Sequence, residues 1–170
     1  YVLFSFHREE NVDNKDKLLE IINSIHLLKN EFKLKIIIST HPRTKNNLLK
    51  FNINVDSADI HFLPPFSFID YINLQKNSKL VISDSGTISE EACLLNVPAV
   101  NMRYKHERPE ADSGSLIIKS EIDCKDIVES SKLAVKISKY NKFYKVKDYE
   151  NKEVSSLIVK IIQSYCKNIY

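Results

Sequence analysis

A chain of 170 residues with 43% apolar and 28% charged side chains has the balance of one ordinary domain, long enough to bury a core without disulfide or metal staples. The formal net charge of +3 excludes a strong electrostatic grip on nucleic acid or on a membrane surface, while leaving room for an anionic small ligand. Cys93, Cys124 and Cys166 form no C-x-x-C pair, so they read as reduced thiols of a cytoplasmic protein rather than a zinc site or disulfide framework, and no apolar run approaches the length of a membrane span.

Short apolar runs alternate with amphipathic stretches, the signature of repeated βα units around a parallel sheet. The first strand is expected over Val2 to Phe6. A buried strand at the very start, with nothing resembling a signal peptide before it, is the pattern expected of a piece of a longer protein. A helix follows from about Asp16 to Asn30, with Leu18, Leu19, Ile22, Ile25 and Leu28 on one face. Leu34 to Ser39 is a second strand, apolar enough to be covered on both faces. His41-Pro42 ends it, and a short helix is expected over Asn46 to Phe51.

A third, weaker strand is expected around Ile60 to Leu63, broken by Pro64-Pro65, with Ser67 capping a helix through about Gln75. Leu80 to Ser83 is the fourth strand. Asp84-Ser85-Gly86 turns it into a helix over Ile88 to Leu95. Ala99 to Met102 and Leu116 to Lys119 are the fifth and sixth strands, separated by a polar segment. Helices over Cys124 to Tyr140 and Lys152 to Tyr165 complete the chain, with a charged, aromatic linker at Lys142 to Tyr149. The expected architecture is α/β, a Rossmann-like parallel sheet flanked by helices.

The chain has only two glycines, Gly86 and Gly114, so each is expected to serve a backbone need such as positive φ or close approach of a ligand. Neither G-x-G-x-x-G nor a P-loop occurs. Candidate chemistry gathers instead where strands end. Ser85, Gly86 and Thr87 would set two hydroxyls and a bare backbone at a helix N-terminus, which suits a phosphate; Glu91, one turn on, can accept hydrogen bonds from ribose hydroxyls. The same residues also fit plain helix capping by Asp84 or Ser85.

His7-Arg8-Glu9-Glu10-Asn11 follows the first strand, His41-Pro42-Arg43-Thr44 the second, and His106-Glu107-Arg108-Pro109-Glu110 the fifth. Each alone fits a solvated polar loop. Together they lie at the carboxyl edge of one sheet, where α/β proteins bind ligands. Phe66, Phe68 and Tyr71 have the spacing of core residues, and one of them could stack on a base. His26 and His61 read as structural, and Tyr140, Tyr144 and Tyr149 as packing groups.

These segments resemble the non-hydrolysing UDP-N-acetylglucosamine 2-epimerases. That family carries H-R-x-E-N after a strand, here His7 to Asn11; D-S-G-x-x-x-E-E-A, here Asp84 to Ala92; and E-R-P-E-A, here Glu107 to Ala111. Order and spacing agree over about Val2 to Val135. The resemblance implies a glycosyltransferase-B-type fold of two Rossmann-like domains, of which this chain would be the C-terminal, UDP-binding one. Residues 1–140 would form that domain. Residues 141–170 would be a linker and a helix crossing back to an N-terminal domain outside this sequence.

By the same resemblance His7 is catalytic, Arg8, Tyr71, Ser85, Gly86, Thr87 and Glu91 bind UDP, with Tyr71 against uracil, and Arg108 and Glu110 line the sugar end. His41 matches a histidine that some members use for a second, activating UDP-sugar. The implied reaction inverts C2 of a UDP-2-acetamido sugar by eliminating and re-adding UDP, without cofactor or metal, in a cytoplasmic homodimer. The proton-transfer carboxylates belong mainly to the other domain. Thr87 where many members have a second glycine, Glu9 where many have a second arginine, and His106 before E-R-P-E resemble the branch acting on UDP-2-acetamido-2,6-dideoxy-L-talose, which serves capsule and O-antigen synthesis. A glycosyltransferase of the same architecture and a non-catalytic nucleotide-binding module are the competing readings.

Overall fold

The computed structural model describes residues 1–55, 57–103, 108, 110, 117–140, 146–150 and 152–166. Six strands, β1 (Val2–Ser5), β2 (Ile36–Ser39), β3 (Ile60–Leu63), β4 (Leu80–Ser83), β5 (Ala99–Asn101) and β6 (Ile117–Lys119), form one sheet in the order β3-β2-β1-β4-β5-β6. Every pairing is parallel. The register puts the last residues of all six strands in one row: Leu63, Ser39, Ser5, Ser83, Asn101 and Lys119. This is the doubly wound order, with its topological switch point between β1 and β4, where the two halves diverge and leave a crevice.

The strands are apolar on both faces because helices cover both. Phe4, Ile36, Ile38, Leu80, Ile82 and Val100 pack with α2 (Lys15–Phe32), α3 (Pro42–Lys50) and α6 (Cys124–Ile137) on one face. Leu3, Val81 and Ala99 face the other way, onto α4 (Phe68–Asn77) and α5 (Ile88–Leu95). Successive strand residues point to opposite faces, so a fully buried strand needs an unbroken apolar run.

Helix boundaries follow their caps. Asn14 accepts hydrogen bonds from the amides of Asp16 and Lys17 to start α2, and Ser67 accepts that of Asp70 to start α4. Asp123 does the same for Asp126 at the start of α6. Asp123→Ala is therefore expected to lower unfolding free energy by about 1 kcal/mol, measured as a lower urea midpoint at unchanged slope.

α3 begins at Pro42, a full turn before the expected Asn46. His41 is its N-cap, its Nδ1 accepting the Arg43 amide at 3.2 Å, and Pro42 at the first helical position gives up an amide that needed no intrahelical partner. Gly86 does not have positive φ; among the described residues the left-handed positions belong to Lys33, Asn52 and Asn96, of which Lys33 and Asn96 end α2 and α5. Gly114, His106, Glu107, Pro109, Ala111 and Tyr144 lie outside the described residues.

The last helix, α7 (Val154–Tyr165), is exposed along its whole length, including Leu157, Ile158, Ile161 and Ile162. No helix among the described residues is long and apolar enough to cross a membrane.

Candidate functional site

The crevice at the switch point is built around Asp84. The residue after β4 is fully buried, and its carboxylate accepts the backbone amide of His7 at 3.1 and 3.0 Å, that of Arg8 at 2.9 Å and the Asn11 side-chain amide at 3.0 Å. It does not cap α5: the N-cap position there is Thr87, which makes no side-chain cap bond. Asp84 instead clasps the turn after β1, including α1 (Glu9–Val12), across the crevice.

A second tie joins the end of β1 to α3. Thr44, buried in the first turn of α3, donates its hydroxyl to the Phe6 carbonyl at 2.6 Å. This draws the start of α3 over the end of β1 and brings the His41 and His7 rings to 5.3 Å between centroids. The two histidines, with Arg8, Glu9, Glu10 and Arg43, line an open pocket of about 520 Å³. Its cations are paired: Arg8 with Glu10, and Arg43 with Glu9 at 2.5 Å. The Arg8 hydrogen bond holds the Glu10 carboxyl below the usual carboxylate range.

Across the crevice, Ser85, Gly86 and Thr87 lead into α5. The Ser85 and Thr87 hydroxyls lie 3.1 Å apart. Glu91 is held on both oxygens, by the Thr87 hydroxyl at 2.7 Å and by Gln75 Nε2 at 2.6 Å. Gln75 is fully buried on α4, and its own Oε1 has no partner. One turn before it, half-buried Tyr71 lies close to Ser5 and Ser83, the paired last residues of β1 and β4. Burial pushes the Tyr71 phenol up to about 12. Phe66 is half-buried, whereas Phe68 and Tyr140 are exposed rather than packed.

Glu90 points to another element. Its Oε1 accepts a 2.5 Å bond from Arg108 Nε, while its Oε2 is buried without a partner. Arg108 is thereby tied to the first turn of α5. Glu110 in turn accepts the Tyr149 hydroxyl at 3.0 Å; burial and then this carboxylate push that phenol up. Tyr149 thus has a polar contact that a packing role did not anticipate.

His7, Arg8, His41, Tyr71, Ser85, Gly86, Thr87 and Glu91 therefore gather at one edge of the sheet, and Arg108 reaches that edge through Glu90. Asp84, Thr44, Gln75 and Glu90 complete the arrangement; of these, Thr44, Asp84 and Glu90 lie within the clusters and motifs that the sequence marks, whereas Gln75 lies in none of them. Gln75 was detectable in principle: it lies four residues after Tyr71, on the inward face of a helix, where a polar side chain needs a partner. A separate apolar cavity of about 590 Å³, lined by Leu48, Ile53, Val55 and Phe62 among others, lies beside α3 and β3.

Such a site offers a helix N-terminus for phosphate, a fixed carboxylate for a diol and an imidazole pair across the crevice. In comparison with known protein families, residues 1–163 match UDP-N-acetylglucosamine 2-epimerase. The chain belongs to that family.

Among its relatives in the family is the UDP-N-acetylglucosamine 2-epimerase of Methanocaldococcus jannaschii, 40% identical over 113 residues, which cover 65% of this chain and 31% of that protein. The structure of the Methanocaldococcus jannaschii UDP-GlcNAc 2-epimerase in complex with UDP-GlcNAc and UDP matches 96% of this chain and 45% of its own, with a TM-score of 0.84 at 32% identity. An Escherichia coli heptosyltransferase with ADP has a TM-score of 0.53 at 16% identity, a likeness of fold alone. This family member thus spans under half the length of the relatives it matches.

Proposed function

We propose that this chain is the UDP-binding half of an enzyme that inverts C2 of a UDP-2-acetamido sugar by eliminating and re-adding UDP. The observation that carries the reading is the convergence on one crevice of the Ser85–Glu91 turn and the His7–His41 pair. The diphosphate lies at the α5 N-terminus against Ser85, Gly86 and Thr87, where helix amides and dipole favour an anion. Glu91 takes the ribose hydroxyls, Tyr71 the uracil, and Arg8 the departing diphosphate. His7 acts on the sugar by general acid–base catalysis, with Arg108 and Glu110 at the sugar end. His41 is available to a second nucleotide, although Glu9 on Arg43 places a carboxylate in that pocket.

Residues 1–140 form the nucleotide domain in this reading. The exposed apolar side chains of α7 support a role for 141–170 in covering a second domain of the full-length protein. That protein is a cytoplasmic homodimer whose substrate is UDP-N-acetylglucosamine or the 6-deoxy-talose analogue, serving polysaccharide synthesis.

The test is incubation of the full-length protein with each UDP-sugar in deuterated water, without acceptor. An epimerase incorporates deuterium at C2; a glycosyltransferase leaves C2 unlabelled. The 170-residue chain alone is expected to bind UDP weakly and to turn over no UDP-sugar, since half the cleft lies outside it. Epimerisation by the purified chain would refute this division of labour.

A further inference from the structure

Asp84 raises a question that nucleotide binding leaves open: why a carboxylate is fully buried in the middle of the crevice. Among the described residues, the hydrogen bonds to its side chain come from one segment, the turn after β1: the His7 and Arg8 amides and Asn11 Nδ2. The His7 ring joins them, with Nδ1 3.4 Å from Oδ1. That separation is longer than a good hydrogen bond, so the interaction is electrostatic rather than a formed bond. A carboxylate can only accept, so its charge favours the neutral ring with its proton on the nitrogen facing it.

We propose that Asp84 is a positioning residue that fixes His7 as the Nδ1–H tautomer and leaves Nε2 unprotonated as the nitrogen that meets substrate. Backbone and side chain are set by the same carboxylate: two amides fix where the ring starts, and one oxygen fixes which nitrogen carries the proton. A carboxylate behind an imidazole plays this part in Ser-His-Asp triads and in many metal-binding histidines. The inference rests on the reading of His7 as the group acting on the sugar. A purely structural Asp84 would need the amide bonds and would be indifferent to the tautomer.

Long-range proton–nitrogen NMR on the 15N-labelled chain, above the usual histidine titration range, reads the tautomer directly, with His7→Gln assigning the signal. Wild type is expected to show Nδ1–H at His7. Asp84→Asn can turn its amide NH2 toward Nδ1, and is expected to move the proton to Nε2. In the full-length protein the same variant should lower kcat about 10- to 100-fold with UDP affinity unchanged.

Should Asp84→Asn fail to fold, wild type and Asn11→Ala decide the matter, since both keep the Asp84–His7 contact and both should show Nδ1–H. An Nε2–H ring in the wild-type chain overturns the proposal. The tautomer is read without nucleotide or turnover. Nδ1–H in a protein that exchanges no deuterium at C2 would refute the epimerase reading and leave the Asp84 assignment standing.

Discussion

Replacing His7 by glutamine in the full-length protein is expected to lower kcat about 100- to 10,000-fold, the range of a positioned acid or base, while KM changes by no more than about threefold. The structure isolates the side chain unusually well. The bonds that fix the turn after β1 run from the His7 and Arg8 backbone amides and from Asn11 to Asp84, and glutamine keeps all of them. The ring itself is nearly half exposed, so little packing is lost with it. Comparing steady-state kinetics with deuterium exchange at C2 separates loss of proton transfer from loss of binding. A variant within tenfold of wild type in kcat would remove His7 from the chemistry, and the crevice would then need another proton carrier.

How far such a site can be read in advance depends on which forces build it. The central strands were legible because burial on both faces demands continuous apolar runs, as at Leu80 to Ser83; the edge strand Ile60 to Leu63, interrupted by His61 and only partly buried, carries the weaker signal. The edge position of His7, His41 and Ser85 followed, because in a parallel sheet every strand end lies on one side. The start of α3 was missed because histidine is an uncommon cap and His41-Pro42 reads as a terminator. An acid before a helix also fits a cap, so the sequence leaves capping by Asp84 or Ser85 open; the partners of Asp84 are more than seventy residues away in sequence, and local spacing carries no sign of them. Glu90 has its partner Arg108 eighteen residues away, outside α5, and the spacing along α5 carries no sign of it. Scarcity alone leaves Gly86 open to positive φ or to close approach of a ligand, and among the described residues asparagine and lysine fill the left-handed positions. That leaves close approach of a ligand as the role of Gly86 in the proposed phosphate site.

The adjacent glutamates of α5 give the second large effect. Neighbouring helical residues point about 100° apart, and here they serve different partners: Glu91 binds Thr87 and Gln75, Glu90 binds Arg108. A carboxylate has about four acceptor positions. Two on Glu91 are occupied by protein donors, which fix its orientation and leave two for a ribose diol. Glu91→Ala removes those acceptors and strands the Gln75 amide, fully buried on α4. Hydrogen bonds to a charged group are worth roughly 1.5–3 kcal/mol, so UDP affinity should fall about 10- to 150-fold. Glu90→Ala should leave UDP affinity within about threefold, a surface-like change of roughly 0.5 kcal/mol. Its cost should appear instead in kcat or KM for the UDP-sugar, because Arg108 loses the carboxylate that ties it to α5. Calorimetric titration of UDP into both variants of the full-length protein, beside kinetics with the UDP-sugar, tests both halves. If UDP binding suffers more from Glu90→Ala, the ribose belongs to Glu90 and Glu91 is part of the scaffold between α4 and α5.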